Sequence, residues 1–219
     1  MNGFDAIEID VGETRIFVRH AGSGPPLLLL HGFPQTHLMW HRVAPALAEE
    51  FTVVCADLRG YGASGKPPSR PDHAPYSKSV MALDMIRVIE AQGFPRFSVA
   101  GHDRGARVTY RMALDHPERV ERVALLDVIP TGEAFRRADA RFALTFWPWS
   151  LLAQPEPLLA LWSEGSGPDN WYGEAGGPLG IWSGWAADVT GRPIPGGHFF
   201  PEQNATETIA ELRSFFGLR

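Results

Sequence analysis

Gly101-His102-Asp103-Arg104-Gly105 follows directly on the apolar run Phe97-Ser98-Val99-Ala100. A strand that ends in glycine, any residue, a nucleophile, any residue and glycine, and then opens a helix, makes a strained turn that pushes its central side chain outward. The two glycines leave room for that turn. Here the presented group is a carboxylate, and the chemistry follows from it. An aspartate displaces a leaving group from an sp³ carbon and forms a covalent ester; it is a poor nucleophile toward amides and esters. Gly and Asp are common in ordinary turns, so the motif takes its weight from standing between a strand and a helix.

The 219 residues, with a net charge of −5 and 44% hydrophobic content, suit a soluble globular protein with one sizeable core. No stretch reaches the roughly 18 apolar residues of a membrane span. The start, Met1-Asn2-Gly3-Phe4-Asp5, has no signal-peptide character. Cys55 is the single cysteine, so no internal disulfide forms and a cytoplasmic location is expected. Mild acidity and scattered arginines argue against a nucleic-acid partner.

Ile7–Val11 and Thr14–His20 read as a leading hairpin. Pro26-Leu27-Leu28-Leu29-Leu30 is an unbroken apolar run, the signature of a strand buried on both faces. Trp40–Leu47 reads as helix, Phe51–Ala56 as strand and Ser77–Gln92 as helix, with apolar residues at Val80, Leu83, Met85, Val88 and Ile89. Strand Phe97–Ala100, helix Arg104–His116 and strand Val120–Leu126 follow. Strands alternating with helices predict an α/β protein with a mostly parallel sheet. Beyond Asp127 the pattern breaks. Leu158–Trp162 is expected as strand, Gly165–Gly180 as loop, Trp182–Ala187 as a short helix, Asp188–Ile194 as a last strand and Ala205–Phe216 as a closing helix. The tryptophans gathered from Trp147 to Trp185 read as core packing or as the apolar roof of a pocket.

An elbow nucleophile works with an acid and then a base, in that chain order, on loops at the C-terminal edge of the sheet. Asp127, ending Val123-Ala124-Leu125-Leu126, fits the acid; Glu164 and Asp169 are its rivals. His198, in Pro195-Gly196-Gly197-His198-Phe199-Phe200, fits the base, the next histidine upstream being His116. His31-Gly32-Phe33-Pro34 supplies a second loop. The backbone N–H groups of Phe33 and Arg104 are the expected oxyanion donors. Arg104 and Arg107 stand three apart on a new helix and so share a face; guanidinium forks bind carboxylates bidentately. Asp57-Leu58-Arg59-Gly60-Tyr61-Gly62-Ala63-Ser64 reads as a structural turn. No His/Cys/Asp set stands at metal-ligand spacing, so neither metal nor cofactor is expected.

These segments resemble the α/β-hydrolase superfamily and, within it, the haloacetate (fluoroacetate) dehalogenases. The narrower likeness rests on His31-Gly32-Phe33-Pro34-Gln35-Thr36-His37, Gly101-His102-Asp103-Arg104-Gly105-Ala106-Arg107, Leu126-Asp127, Trp149 and Gly196-Gly197-His198-Phe199. It implies an α/β-hydrolase fold, with 1–130 as the first part of the core, 131–156 as a cap remnant and 157–219 as the last part of the core. It further implies Asp103 as nucleophile, His198 as base, Asp127 as its partner, and Arg104 and Arg107 as holders of a substrate carboxylate. The expected ligand is a small halogenated carboxylate, with no membrane partner.

Two departures stand out. The family's His–Trp pair that receives departing halide corresponds here to Pro148-Trp149, so only the Trp149 indole can donate. The chain also passes from Gln154-Pro155-Glu156-Pro157 straight toward the next expected strand, where a helical cap of roughly 60–70 residues would stand. A truncated or absent cap is therefore expected, and a partner domain or a homodimer contact could supply the roof. Epoxide hydrolysis is the rival enzyme reading; it needs two cap tyrosines, and Tyr172 is the one tyrosine after Tyr110. A ligand-binding protein without turnover is the rival outside enzymes.

Overall fold

The computed structural model describes residues 1–146, 149 and 177–217. Its described residues form two compact units, Met1–Val128 with Ile194–Arg219, and Ile129–Pro193.

The first unit is built on a six-stranded sheet: β1 Asp5–Asp10, β2 Arg15–Ala21, β3 Pro26–Leu30, β4 Thr52–Ala56, β5 Phe97–His102 and β6 Val120–Leu126. Their spatial order is β1-β2-β4-β3-β5-β6. The β1–β2 hairpin is antiparallel and β2 pairs antiparallel with β4, whereas β4, β3, β5 and β6 run parallel. Parallel strands end at a common edge, so the loops after β3, β5 and β6 converge there.

β3 shows why the sheet needs an unbroken apolar centre. Leu28 and Leu30 face one core with Val18, Val54, Val99 and, from the helix Lys78–Ala91, Met85 and Ile89. Leu27 and Leu29 face a second core with Trp40, Val53, Cys55 and the closing helix. All four leucines are fully buried, each contributing about 1.5–3 kcal/mol of burial. Helix α1 covers Ala44–Leu47, α2 Lys78–Ala91 and α3 Arg104–Asp115. Ser77 caps α2 by accepting from the Val80 N–H, a side-chain bond that satisfies one otherwise unpaired donor.

The second unit holds α4 Thr131–Arg136, α5 Ala140–Thr145 and α6 Gly177–Trp182. Its core gathers Ile129, Ala134, Phe142 and Ile181, with Phe146 and Trp149 packed against them. Back in the first unit, α7 is Phe200–Gln203 and α8 Ala205–Phe216. No described helix is long and apolar enough to cross a membrane.

Three expectations need correction. Trp40–Leu47 is not one helix: a 3₁₀ turn over His37–Trp40 gives way to α1, because Pro45 lacks an N–H and is tolerated only in a first turn. The helix expected at Trp182–Ala187 instead spans Gly177–Trp182, taking in the last four residues of the expected loop Gly165–Gly180, with Gly184 in the turn that follows. Asp188–Ile194 is irregular and mostly exposed; Gly191, Pro193 and Pro195 interrupt any ladder there. The expected strand Leu158–Trp162 lies outside the described residues, as do Pro148, Glu164, Asp169 and Tyr172.

The elbow between β5 and α3 is the tightest joint. A Cβ on Gly105 would lie 2.5 Å from the carbonyl oxygens of Leu30 and His31, and one on Gly101 would lie 2.6 Å from the Gly105 backbone. Gly105→Ala is expected to lower unfolding free energy by about 1–3 kcal/mol in urea titration. Gly132→Ala, whose Cβ would meet open space, is the matched control and is expected to be neutral or slightly stabilising.

Candidate active site

Asp103 sits between β5 and α3 with φ 44° and ψ −110°, a backbone region that costs a non-glycine residue about 1–3 kcal/mol. Its N–H donates to the Leu126 carbonyl at 3.1 Å, tying the elbow to the neighbouring strand. The Phe33 N–H donates to Asp103 Oδ2 at 3.0 Å.

That donor is aimed by a buried scaffold. The His31 ring accepts from the Leu58 N–H at Nε2 (3.0 Å) and donates from Nδ1 to the Gly32 carbonyl (2.9 Å). Burial holds its pKa below the ordinary value, so it stays neutral and can do both. Gly32 must lack a side chain: a Cβ there would come 2.7 Å from His102 Nδ1 and 2.8 Å from Asp103 Cβ. The Asp57 turn is structural, its carboxylate accepting from the His37 and Ala63 backbones and from the His37 ring. Buried Arg59 pairs with Asp84 through two bonds of 2.6 and 2.8 Å.

Asp127 closes β6 at φ 53°, and His198 Nδ1 donates to its Oδ2. Both side chains are 31% exposed, so the pair is open to solvent on one side. Burial opposes the charged imidazole, yet the bond and charge of Asp127, with Asp103 adding to them, hold the His198 pKa above 6.5. Burial likewise opposes the Asp103 carboxylate. The Phe33 N–H and the fields of His198 and Arg107, joined by His102 only once it is protonated, outweigh it and hold the pKa below 3.8. Asp103, Asp127 and His198 therefore share one electrostatic neighbourhood at the sheet edge. His102, Asp127 and His198 also offer ligand atoms within 4.8 Å of one another, but the bond between Asp127 and His198 already uses two of the three.

Arg107 is buried in α3, and the Arg104 guanidinium lies 5.5 Å from the Phe33 ring centroid, a cation–π contact. Trp149 belongs to the second unit, edge-on to Phe142 at 5.6 Å and close to Phe135 and Phe146.

Sequence reasoning missed two groups. His102 stood inside the elbow motif as an unspecified position; its full burial comes from the tertiary fold. Lys78, at the start of α2, is pushed down to about 8, first by burial and then by Arg104 and Arg107. Nothing in its local sequence signals that it lies among those charges.

The α/β-hydrolase fold family matches residues 25–189 of this chain. The chain belongs to the α/β hydrolases. It is 50% identical over 185 residues to a fluoroacetate dehalogenase of Burkholderia sp, covering 84% of this chain and 59% of that protein. To a soluble epoxide hydrolase of Corynebacterium sp. (strain C12) it is 46% identical over 119 residues, 52% of this chain and 40% of the other. This α/β hydrolase thus spans 40% to 59% of the length of these relatives. A solved structure from Nostoc sp PCC 7120, assigned as an α/β hydrolase, superposes with a TM-score of 0.91 at 35% identity, over 99% of both chains. One from Pseudomonas aeruginosa, assigned as an epoxide hydrolase, gives 0.86 at 33% identity, over 98% of this chain and 96% of that one.

In the free protein, the His198 ring is expected to titrate above 6.5 in an NMR pH series, the raised direction meaning that the proton is retained as pH climbs past that value. Asp127→Asn removes the main raising influence and is expected to bring the midpoint down.

Proposed function

We propose that this hydrolase removes halide from a short 2-haloacid through an ester on Asp103. The reading rests on one arrangement: a half-buried elbow carboxylate that stays ionised, with the charge of Arg107 acting on it and with Lys78, itself among Arg104 and Arg107, feeling its charge. A neutral substrate has no need of such charge, whereas a haloacetate carboxylate does.

With Oδ2 held by the Phe33 N–H, Asp103 Oδ1, which has no hydrogen bond among the described residues, is the attacking oxygen. It bonds to the α-carbon as the carbon–halogen bond breaks and halide leaves with the electron pair. Trp149, the indole donor of the family likeness, is part of this reading as the group that receives halide. His198, oriented by Asp127, then takes a proton from water, whose oxygen attacks Cγ of the ester. The developing oxyanion is the Oδ2 already bonded to Phe33, with the Arg104 N–H at the head of α3 as second donor. Collapse releases the hydroxyacid, its oxygen reprotonated by His198, and restores the carboxylate. Water and haloacid become hydroxyacid, halide and a proton.

Chloroacetate is the first substrate to offer. Asp103→Asn is expected to release no halide, and His198→Ala to release about one equivalent and then stall as an ester detectable by intact mass. Arg107→Met is expected to weaken kcat/KM for chloroacetate about 10–100-fold, the worth of a charged hydrogen bond, while leaving chloroacetamide little changed. Absence of halide release and of any Asp103 adduct from every haloacid offered would overturn the reading.

The two titrations separate the half-reactions. Between the ordinary values of 3.8 and 6.5, Asp103 is ionised and His198 protonated. In the ester Asp103 is neutral and Asp127 remains the group that raises His198, so ester hydrolysis is expected to slow as pH falls through this range while alkylation proceeds. Rapid-quench mass analysis at about pH 5–6 is expected to show accumulated ester that clears when pH is raised.

Epoxide hydrolysis is the second reading, favoured by the epoxide hydrolase likeness over the elbow half of the chain. It uses the same Asp103 ester but needs an acid for the epoxide oxygen. Diol formation from styrene oxide without halide release from chloroacetate would select it.

A further inference from the structure

The base of this site is held at two points, and only one of them is Asp127. His198 lies in a segment, residues 194–199, that has no strand or helix of its own. Its side chain is fixed by Asp127 from the end of β6. Its main chain is fixed by His102, the last residue of β5, whose Nε2–H donates to the His198 carbonyl at 2.7 Å across 96 residues of sequence.

We propose that His102 is a positioning residue for His198, and that its hydrogen bond sets the hydrolytic half of the reaction while leaving ester formation untouched. The two imidazoles stand 4.6 Å apart between centroids, tilted by 47°, and the Phe200 ring closes on His102 edge-on at 6.2 Å. His102 is fully buried, so it touches neither water nor substrate. Its Nδ1 has no hydrogen-bond partner among the described residues and faces the bare Cα of Gly32. An apolar side chain would fill this space without a stranded lone pair, which costs about 1–3 kcal/mol when buried. What an apolar group cannot supply is the donor to His198.

The ring is suited to hold that donor steadily. Burial, and then the neighbouring His198, push its pKa down to about 4. It therefore stays neutral where the enzyme works, and its one proton stays on Nε2. Asp127 sets the rotation of the His198 ring, and His102 sets where its backbone starts. A donor lost at the second point lets the imidazole drift from the ester carbonyl, and a misplacement near 1 Å costs about 100-fold in rate. Asp103 attacks the α-carbon without help from His198, so the first step has no reason to change.

The kinetic part rests on the ester mechanism proposed above; the tether itself does not. Chloroacetate and rapid quench separate the steps. In His102→Leu the one-equivalent halide burst is expected to keep its rate within about two-fold, while ester hydrolysis slows about 10–100-fold. His102→Gln, whose amide N–H reaches the same carbonyl, is expected to recover most of that loss, and His102→Asn, too short to reach it, to recover none. If both steps slow together, or if Leu hydrolyses the ester at the native rate, the proposal fails. Should the leucine variant not fold, the Gln–Asn pair decides alone. Imidazole ¹⁵N shifts of the unmodified protein provide a substrate-free check. His102 is expected as the neutral Nε2–H tautomer at pH 7, and an Nδ1–H tautomer overturns the tether whether or not haloacids are substrates.

Discussion

Backbone meets backbone at the start of α3, and the site depends on it. The carbonyls of Leu30 and His31 lie where a Gly105 side chain would stand, and the Gly105 peptide lies against Gly101. Only with both positions bare can β5 turn into α3 within one residue, which forces Asp103 to positive φ. The strain is tolerated because the turn is held on both flanks, by Leu126 through the Asp103 N–H and by β3 through packing. β3, β5 and β6 are consecutive parallel neighbours. The Phe33 donor, the Asp103 carboxylate and Asp127 therefore emerge from one edge without any long loop to deliver them.

Charge placement then divides labour between two titratable groups. Burial works against the ionised form of both Asp103 and His198. Donors and cations around Asp103 reverse that effect and keep it anionic; Asp127 reverses it for His198 and keeps it basic. Environments that push a carboxylate and an imidazole apart in this way are what separate nucleophile from base. The same cations that stabilise the carboxylate suit an anionic ligand. One surplus of positive charge thus serves both the proposed nucleophile and the proposed substrate.

His102 shows how a buried polar group acquires meaning from its partners. Alone, a histidine at the end of a core strand is a packing residue. Bonded to the main chain of His198, in a segment with no ladder to fix it, it becomes a second anchor for the ring that Asp127 orients. Gly32 belongs to the same design, since its missing side chain leaves the space that the His102 ring faces.

Much of this was legible in one dimension. The tetraleucine run could belong only to a strand covered on both sides, and the glycine-flanked aspartate after Phe97–Ala100 placed the elbow. β6 and the closing helix have the bounds that periodicity assigned, Val120–Leu126 and Ala205–Phe216. Local pattern misled where backbone chemistry overrode it: at Pro45, which split an apolar stretch into two short turns, and at Gly191 to Pro195, where no ladder forms. Residue types and their order determined which groups could be nucleophile, acid and base, because those are properties of side chains and of chain direction. The three-dimensional packing decided the protonation states, the placing of half-buried Lys78 among arginines and the grip of His102 on His198. Those arise from groups far apart in the chain, whose fields and hydrogen bonds exist only once the strands lie side by side.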